Sequence, residues 1–184
     1  SGGTLSVKSS NTAVATASIS GTTVTVKPGT TAGTATITVT SAATTNYKAA
    51  SATYTATVKN GTLSVTATPY SGTYDGNAHG ITVTCAQSGA QITYATSATG
   101  TYSTTKPTYT NVSTNTTYYK VQLAGYETVS GSLTVTIAQK AGGVTLSATS
   151  GTVTYPTAKT FTVKTNTSGG TLSVKSSNTA VATA

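Results

Sequence analysis

Apolar and polar residues alternate along most of the chain, at the period of two that marks half-buried β-strands. The first run sets Leu5 and Val7 against Ser6 and Lys8. VATASIS (residues 14–20), the turn Ser20-Gly21 and TTVTVKP then read as a hairpin. Its second arm puts Val24 and Val26 on one face and Thr23, Thr25 and Lys27 on the other, and Pro28-Gly29 ends it. GTATITVT sets Ala35, Ile37 and Val39 against Thr34, Thr36, Thr38 and Thr40. After a loop through Asn46, Tyr47 and Lys48, SATYTATV alternates Tyr54, Ala56 and Val58 inward. Five short strands within residues 1–59 predict part of a β-sandwich.

Residues 60–139 carry a full set of their own, opened by the turn Asn60-Gly61. TLSVTATPY turns Leu63, Val65 and Ala67 inward until Pro69 stops the run, and the loop SGTYDGNAHG follows. ITVTCAQ places Ile81, Val83 and Cys85 on one face, and QITYATS contributes Ile92 and Tyr94. TYSTTKPTYTNV is interrupted by Pro107 and suits an edge strand. TTYYKVQLAGY turns Tyr119, Val121 and Leu123 inward, and SGSLTVTI closes with Leu133, Val135 and Ile137. Turn signals at this spacing predict a complete sandwich.

A linker, Gln139-Lys140-Ala141-Gly142-Gly143, leads into residues 140–184. VTLSATSGTVTY offers Val144, Leu146, Val153 and Tyr155, Pro156 breaks the run, and KTFTVKT offers Phe161 and Val163. From residue 168 onward the chain reads SGGTLSVKSSNTAVATA, identical to residues 1–17. The two copies start 167 residues apart, at positions 1 and 168. That period is too long for a solenoid unit of roughly 20–50 residues. It fits two sandwich domains per repeat, so the chain reads as a window on a longer array. Residues 140–184 joined to 18–59 make one sandwich, cut in two by the window.

Composition supports an all-β reading. Thr makes up about a quarter of the chain, and its β-branched side chain suits half-exposed strands. Charge is sparse and one-sided: ten Lys and no Arg face two acids, Asp75 and Glu127, for a net charge of +8. The lysines are scattered singly, and without Arg there is no bidentate group for bases or phosphates, which argues against nucleic acid. Lysines on exposed strands instead discourage edge-to-edge aggregation. No stretch reads as a signal peptide, membrane span or anchor, and there is no Met. Any export or anchoring signal is therefore expected outside this segment.

The rejoined domain resembles the bacterial immunoglobulin-like domain of group 2, on SSNTAVATAS (residues 9–18), TVTVKPG (23–29) and AGTATITVT (32–40). Residues 60–139 resemble a second bacterial Ig-like module, on YDGNAHGITVT (74–84), ITYATS (92–97) and TYYKVQLAGYETVSGSLTVTI (117–137). Together the resemblances span nearly the whole chain. They imply tandem Ig-like antiparallel β-sandwiches in an elongated array, as in tandem-repeat surface adhesins of Gram-positive gut bacteria. The domains expected are 1–59, the C-terminal part of a group 2 domain; 60–139, a complete Ig-like sandwich; and 140–184, the N-terminal part of the next group 2 domain. The resemblances imply modules of an adhesin or stalk, and no chemistry.

Candidate chemistry is thin. Calcium needs about 6–8 oxygens, usually several from carboxylates, and zinc needs four ligands in a structural site; neither set is available, and no cofactor or metal is expected. Asp75 and His79 lie four apart in the loop YDGNAHG, where Asp75-Gly76 reads as a turn rather than catalytic machinery. Cys85 alternates with Ile81 and Val83 and reads as a small core residue. Neither acid occupies an inward strand position, as a self-formed Lys–Asn cross-link would require. Tyr70, Tyr74, Tyr102, Tyr109 and Tyr126 fall near loops, where stacking on a sugar competes with ordinary packing. The expected function is a spacer in an extracellular surface protein, held head-to-tail by adjacent identical repeats. A module that binds host glycan or protein is the alternative. No enzyme activity and no membrane insertion of this segment are expected.

Overall fold

The alternating runs become strands largely where they occur. A computed structural model describes residues 2–184; Ser1, the first residue of the repeated stretch, lies outside it. Among the described residues every regular element is a strand and no helix forms.

All five strands expected in the first unit are present. β1 (Leu5–Ser9), β4 (Gly33–Ser41) and β5 (Ala50–Val58) form an antiparallel sheet in the order β1-β4-β5. β2 (Ala15–Ser20) and β3 (Thr23–Pro28) form the hairpin, with Ser20 opposite Thr23. The hairpin packs on the sheet through Val14, Ala15, Ala35, Ile37 and Ala56, ringed by Val7, Ala17, Val24, Val26 and Val58. One inward position departs from expectation. Tyr54 pairs with the fully buried Ile37 across the β4–β5 ladder, so the two side chains share a face, yet Tyr54 is 62% exposed. The cause is coverage: β2 lies beside β1, so the hairpin shields the β1 side of the sheet and leaves the β5 side open.

The middle unit is more complete. β7 (Tyr70–Thr73), β9 (Gln91–Ala95), β10 (Ser113–Gln122) and β11 (Val129–Ala138) form a sheet in the order β7-β11-β10-β9, while β6 (Val65–Thr68) pairs with β8 (Thr82–Cys85). Leu63, Ile81 and Val83 from the two-strand side meet Val121, Val135 and Ile137 from the four-strand side in one core. The arrangement is β-sandwich-like, two sheets closed on shared apolar residues. Three sequence expectations change here. Pro69 ends β6 as expected, because it lacks an N–H for that ladder, but the loop expected from Ser71 begins as a strand: beyond Pro69 the chain crosses to the other sheet as β7. There β7 pairs with β11 in parallel, Tyr70 opposite Val135, so the sheets are not purely antiparallel. The edge strand expected over TYSTTKPTYTNV is absent. Only isolated bridges form, from Ser103 to Tyr94 and from Tyr109 to His79, on either side of Pro107.

The chain enters the middle unit soon after β5, and contacts within that unit hold Gly61. The Gly61 N–H donates to the Gly125 carbonyl (2.8 Å), and the Glu127 N–H donates to the Gly61 carbonyl (2.9 Å). The Tyr126 ring lies on Gly61, where a Cβ would come within 2.9 Å of it, so the close approach requires glycine. Gly125 in turn abuts Thr30 of the β3–β4 loop.

Residues 140–184 hold far less structure than their pattern predicts. β12 (Val144–Leu146) and β13 (Val163–Asn166) make a short antiparallel ribbon, bulged between Thr145 and Leu146. Val144, Leu146, Val153, Tyr155, Phe161 and Val163 all stay exposed, and no residue of this segment is buried. The second copy of the repeated stretch forms no strand. Strands need a partner for their backbone groups and a layer to cover their apolar face, and here neither is supplied.

Candidate functional site

The densest group of polar and aromatic side chains sits where β7 meets the loop of residues 74–80. Gly76 adopts a left-handed φ of 84°, which reverses the chain just after Asp75. The Asp75 carboxylate then accepts the Asn77 backbone N–H at 2.8 Å and its side-chain amide at 3.1 Å, an Asx-type turn. The turn brings His79 back, and its Nε2–H donates to Asp75 Oδ1 at 2.9 Å. The imidazole also stacks on Tyr70, with centroids 3.9 Å apart and planes 10° from parallel. In that geometry the Tyr70 hydroxyl, 3.1 Å from Nε2, lies over the ring rather than in its plane. The in-plane hydrogen bond therefore belongs to Asp75.

On its backbone side His79 is fixed by Tyr109. The His79 N–H donates to the Tyr109 carbonyl (2.9 Å), and the Tyr109 N–H donates back (2.8 Å). The Tyr109 hydroxyl reaches Thr117 Oγ1 at 3.4 Å, giving that fully buried hydroxyl its partner. Asp75, His79, Tyr70, Tyr109 and Thr117 thus tie the loop, the β7 edge and β10 together. The His–carboxylate pair has one imidazole face covered by Tyr70 and its Nε2 committed to Asp75. Chemically it is a clasp.

His79 beside Asp75, followed by the two Asn77 amides, holds the Asp75 carboxyl well below the usual carboxylate range. The sign of the linkage follows. The unfolded chain takes up this proton first as pH falls below about 4, so the clasp stabilises the folded unit above that value and is lost progressively below it. Asp75→Asn should therefore lower stability at pH 7, and its difference from the wild type should shrink between pH 5 and pH 2. Urea midpoints measured across that range check this; a difference constant with pH would refute the carboxylate's role.

The five tyrosines singled out by sequence do not form one surface. Tyr70 and Tyr109 are brought together around His79, both packed against the middle core. Tyr126 packs against the same core near Gly61, before the start of β11. Tyr70 pairs with Val135 further along that strand, which puts roughly 20–30 Å between the two sites. Tyr102 lies under the Lys120 ammonium, 4.0 Å from its ring centroid. Tyr74 alone among the five is strongly exposed, at 40%. It lines an open groove with Asp75, Val112, Lys140, Gly142 and Ser168, at the passage from β11 into the C-terminal segment. The sequence exposed the Asp75–His79 spacing but not the aromatic stack. Tyr70 meets His79 only because β7 joins the sheet.

Cys85 is half-buried on β8 and packs against the core, as its alternation predicts. Its Sγ–H donates to Gln87 Oε1 at 3.3 Å, and the same oxygen accepts the Ser64 N–H at 2.9 Å. Among the described residues no group of three or more His, Cys, Asp or Glu side chains could hold a metal ion. Among them, too, no helix is long and apolar enough to cross a membrane. Comparison of the chain with protein-family models gives no match, and no curated protein matches it to a significant degree.

Proposed function

We propose that this chain is a structural spacer from the stalk of a large repetitive bacterial surface protein, an adhesin. Its Ig-like sandwiches stand in tandem outside the cell and hold a distal binding domain away from the surface. The observation that carries this reading is the unchanged recurrence of seventeen residues 167 positions on. Sequence kept without change between repeats fits a part whose product is length. Three further features support the reading. The chain is all-β, it holds two separate apolar cores, and only Lys59 and Asn60 separate β5 from Gly61, which the middle unit holds through Gly125 and Glu127. The richest polar cluster is a clasp that fixes a loop, which serves stiffness. In this reading the domains run 1–59, 60–139 and 140–184, the outer two being parts of sandwiches that the repeat completes.

Small-angle scattering tests the spacer directly. A compact globule of this length has a radius of gyration of about 16 Å. Sandwiches of roughly 40 Å each, set end to end, give about 25–30 Å. A dilute chain that scatters as the compact globule overturns the proposal. The glycan- or protein-binding alternative predicts a hit for this segment alone on a glycan array, where a spacer scores none.

A further inference from the structure

Resting on the repeat reading above, we propose that two copies of this chain join head to tail, the ribbon of residues 140–167 in one copy completing the N-terminal unit of the other. In the joint, β12–β13 lies beside the β2–β3 hairpin, over β5. Residues 152–155 run parallel along the free edge of β5.

The middle unit supplies the template. Its strands appear in the order β6, β7, β8, β9, β10, β11, and its large sheet runs β7-β11-β10-β9. The first unit has a counterpart for three of these, since β1-β4-β5 matches β9-β10-β11 in order and in antiparallel pairing. What it lacks is a parallel strand on the outside of β5, where β7 lies on β11, and, beyond its own β2–β3 hairpin on the β1 side, a second antiparallel pair over β5 to match β6–β8. The C-terminal segment holds those pieces in the right sequence. β12 and β13 form an antiparallel pair, and the apolar–polar run Thr152-Val153-Thr154-Tyr155 lies between them, as β7 lies between β6 and β8. Two residues after β13 the repeated stretch begins, which in the first unit builds β1, just as β8 is followed by β9.

The surfaces left open agree. On the acceptor, Ala52 and Tyr54 share the inward face of β5 with buried Ala56, yet both are exposed. In the middle unit the same kind of position is fully covered, as at Val135 and Ile137 of β11. On the donor, Leu146 pairs with Val163 on one face of the ribbon, and Phe161 follows the same alternation. All three are exposed. An unpaired strand edge and an uncovered apolar face each favour association. Because donor and acceptor surfaces differ, the contact is heterologous and propagates as an open row. The donor's residues 168–184 either stay outside or exchange with the acceptor's identical residues 1–17; the sandwich formed is the same.

Sedimentation velocity on the full chain, from about 1 μM to 1 mM, reads the association. Monomer should give way to a growing series of multimers. Leu146→Asp with Val163→Asp disables the ribbon, and Ala52→Asp with Tyr54→Asp disables the sheet. All four positions are exposed, so the cores stay intact, and Phe161→Asp is a milder ribbon variant should the pair disturb the fold. Each variant alone should associate about 100-fold more weakly or worse. An equal mixture of the two should form heterodimers and nothing larger, because one good ribbon and one good sheet remain. A wild-type chain that stays monomeric, a series that stops at a dimer, or a mixture that fails to pair each overturns the proposal. A monomer that still scatters as an extended particle overturns this joint and leaves the spacer standing, whereas a compact monomer removes the spacer as well.

Discussion

Ile137→Ala is expected to destabilise the middle unit by about 3–4 kcal/mol, the cost of removing a fully enclosed branched side chain and leaving a cavity. Ile137 is 2% exposed near the end of β11, against Ile81 and Val83 of the facing layer. For a unit of this size the change lowers the melting temperature by about 15–20 °C. The control is Val153→Ala in the C-terminal segment, where the side chain is exposed and the expected change is under about 0.5 kcal/mol. Thermal unfolding followed by circular dichroism in dilute solution reads both. A loss below 1 kcal/mol at Ile137 would mean that the two sheets do not close on a common core.

The second prediction uses the repeat as an internal control. Val14 and Val181 occupy the same place in identical seventeen-residue stretches, yet Val14 is 3% exposed and Val181 is 82% exposed. Val14→Asp places an unpaired carboxylate in the first core and should cost at least about 3 kcal/mol. Val181→Asp should change stability by no more than about 0.5 kcal/mol in dilute solution. Amide hydrogen exchange of β2, β3 and β4 distinguishes them: protection collapses in the first variant and survives in the second. Equal effects at the two sites would contradict the difference in packing.

Much of the fold was legible because its strands are amphipathic and its turns are local. β2 and β3 follow from two alternating runs around Ser20-Gly21, and β10 and β11 from Tyr119, Val121, Leu133, Val135 and Ile137. β7 was not legible. It is four residues with a glycine, placed after a proline, and its pairing with β11 lies some sixty residues away. The Asp75 turn could be read from Asp-Gly, but the His79–Tyr70 stack depends on that same distant pairing. The tyrosines looked alike in sequence, and packing separated them: Tyr70, Tyr109 and Tyr126 joined the core while Tyr74 did not. Tyr54 failed for the opposite reason. Its alternation is correct, and no layer covers it.

The seventeen residues written twice separate the two contributions most clearly. In both copies the Ser side chain accepts the Asn N–H, at 3.2 Å from Asn11 to Ser9 and at 3.3 Å from Asn178 to Ser176. In both the Asn side chain accepts an alanine N–H, at 3.1 Å from Ala13 and 3.0 Å from Ala180. In both the Asn carbonyl closes the turn, accepting from Ala15 at 3.0 Å and from Ala182 at 3.1 Å. These bonds span four residues or fewer, so the sequence alone determines them. The strand is another matter. Leu5–Ser9 is β1 because Ile37, Thr38, Val39, Thr40 and Ser41 lie opposite it, and Val14 is buried because Ala35, Ile37 and Ala56 surround it. The same letters at Leu172, Val174 and Val181 form no strand and stay exposed. A ladder takes its hydrogen bonds, and a core its dry surface, from residues far along the chain. Only the tertiary structure decided which copy received them.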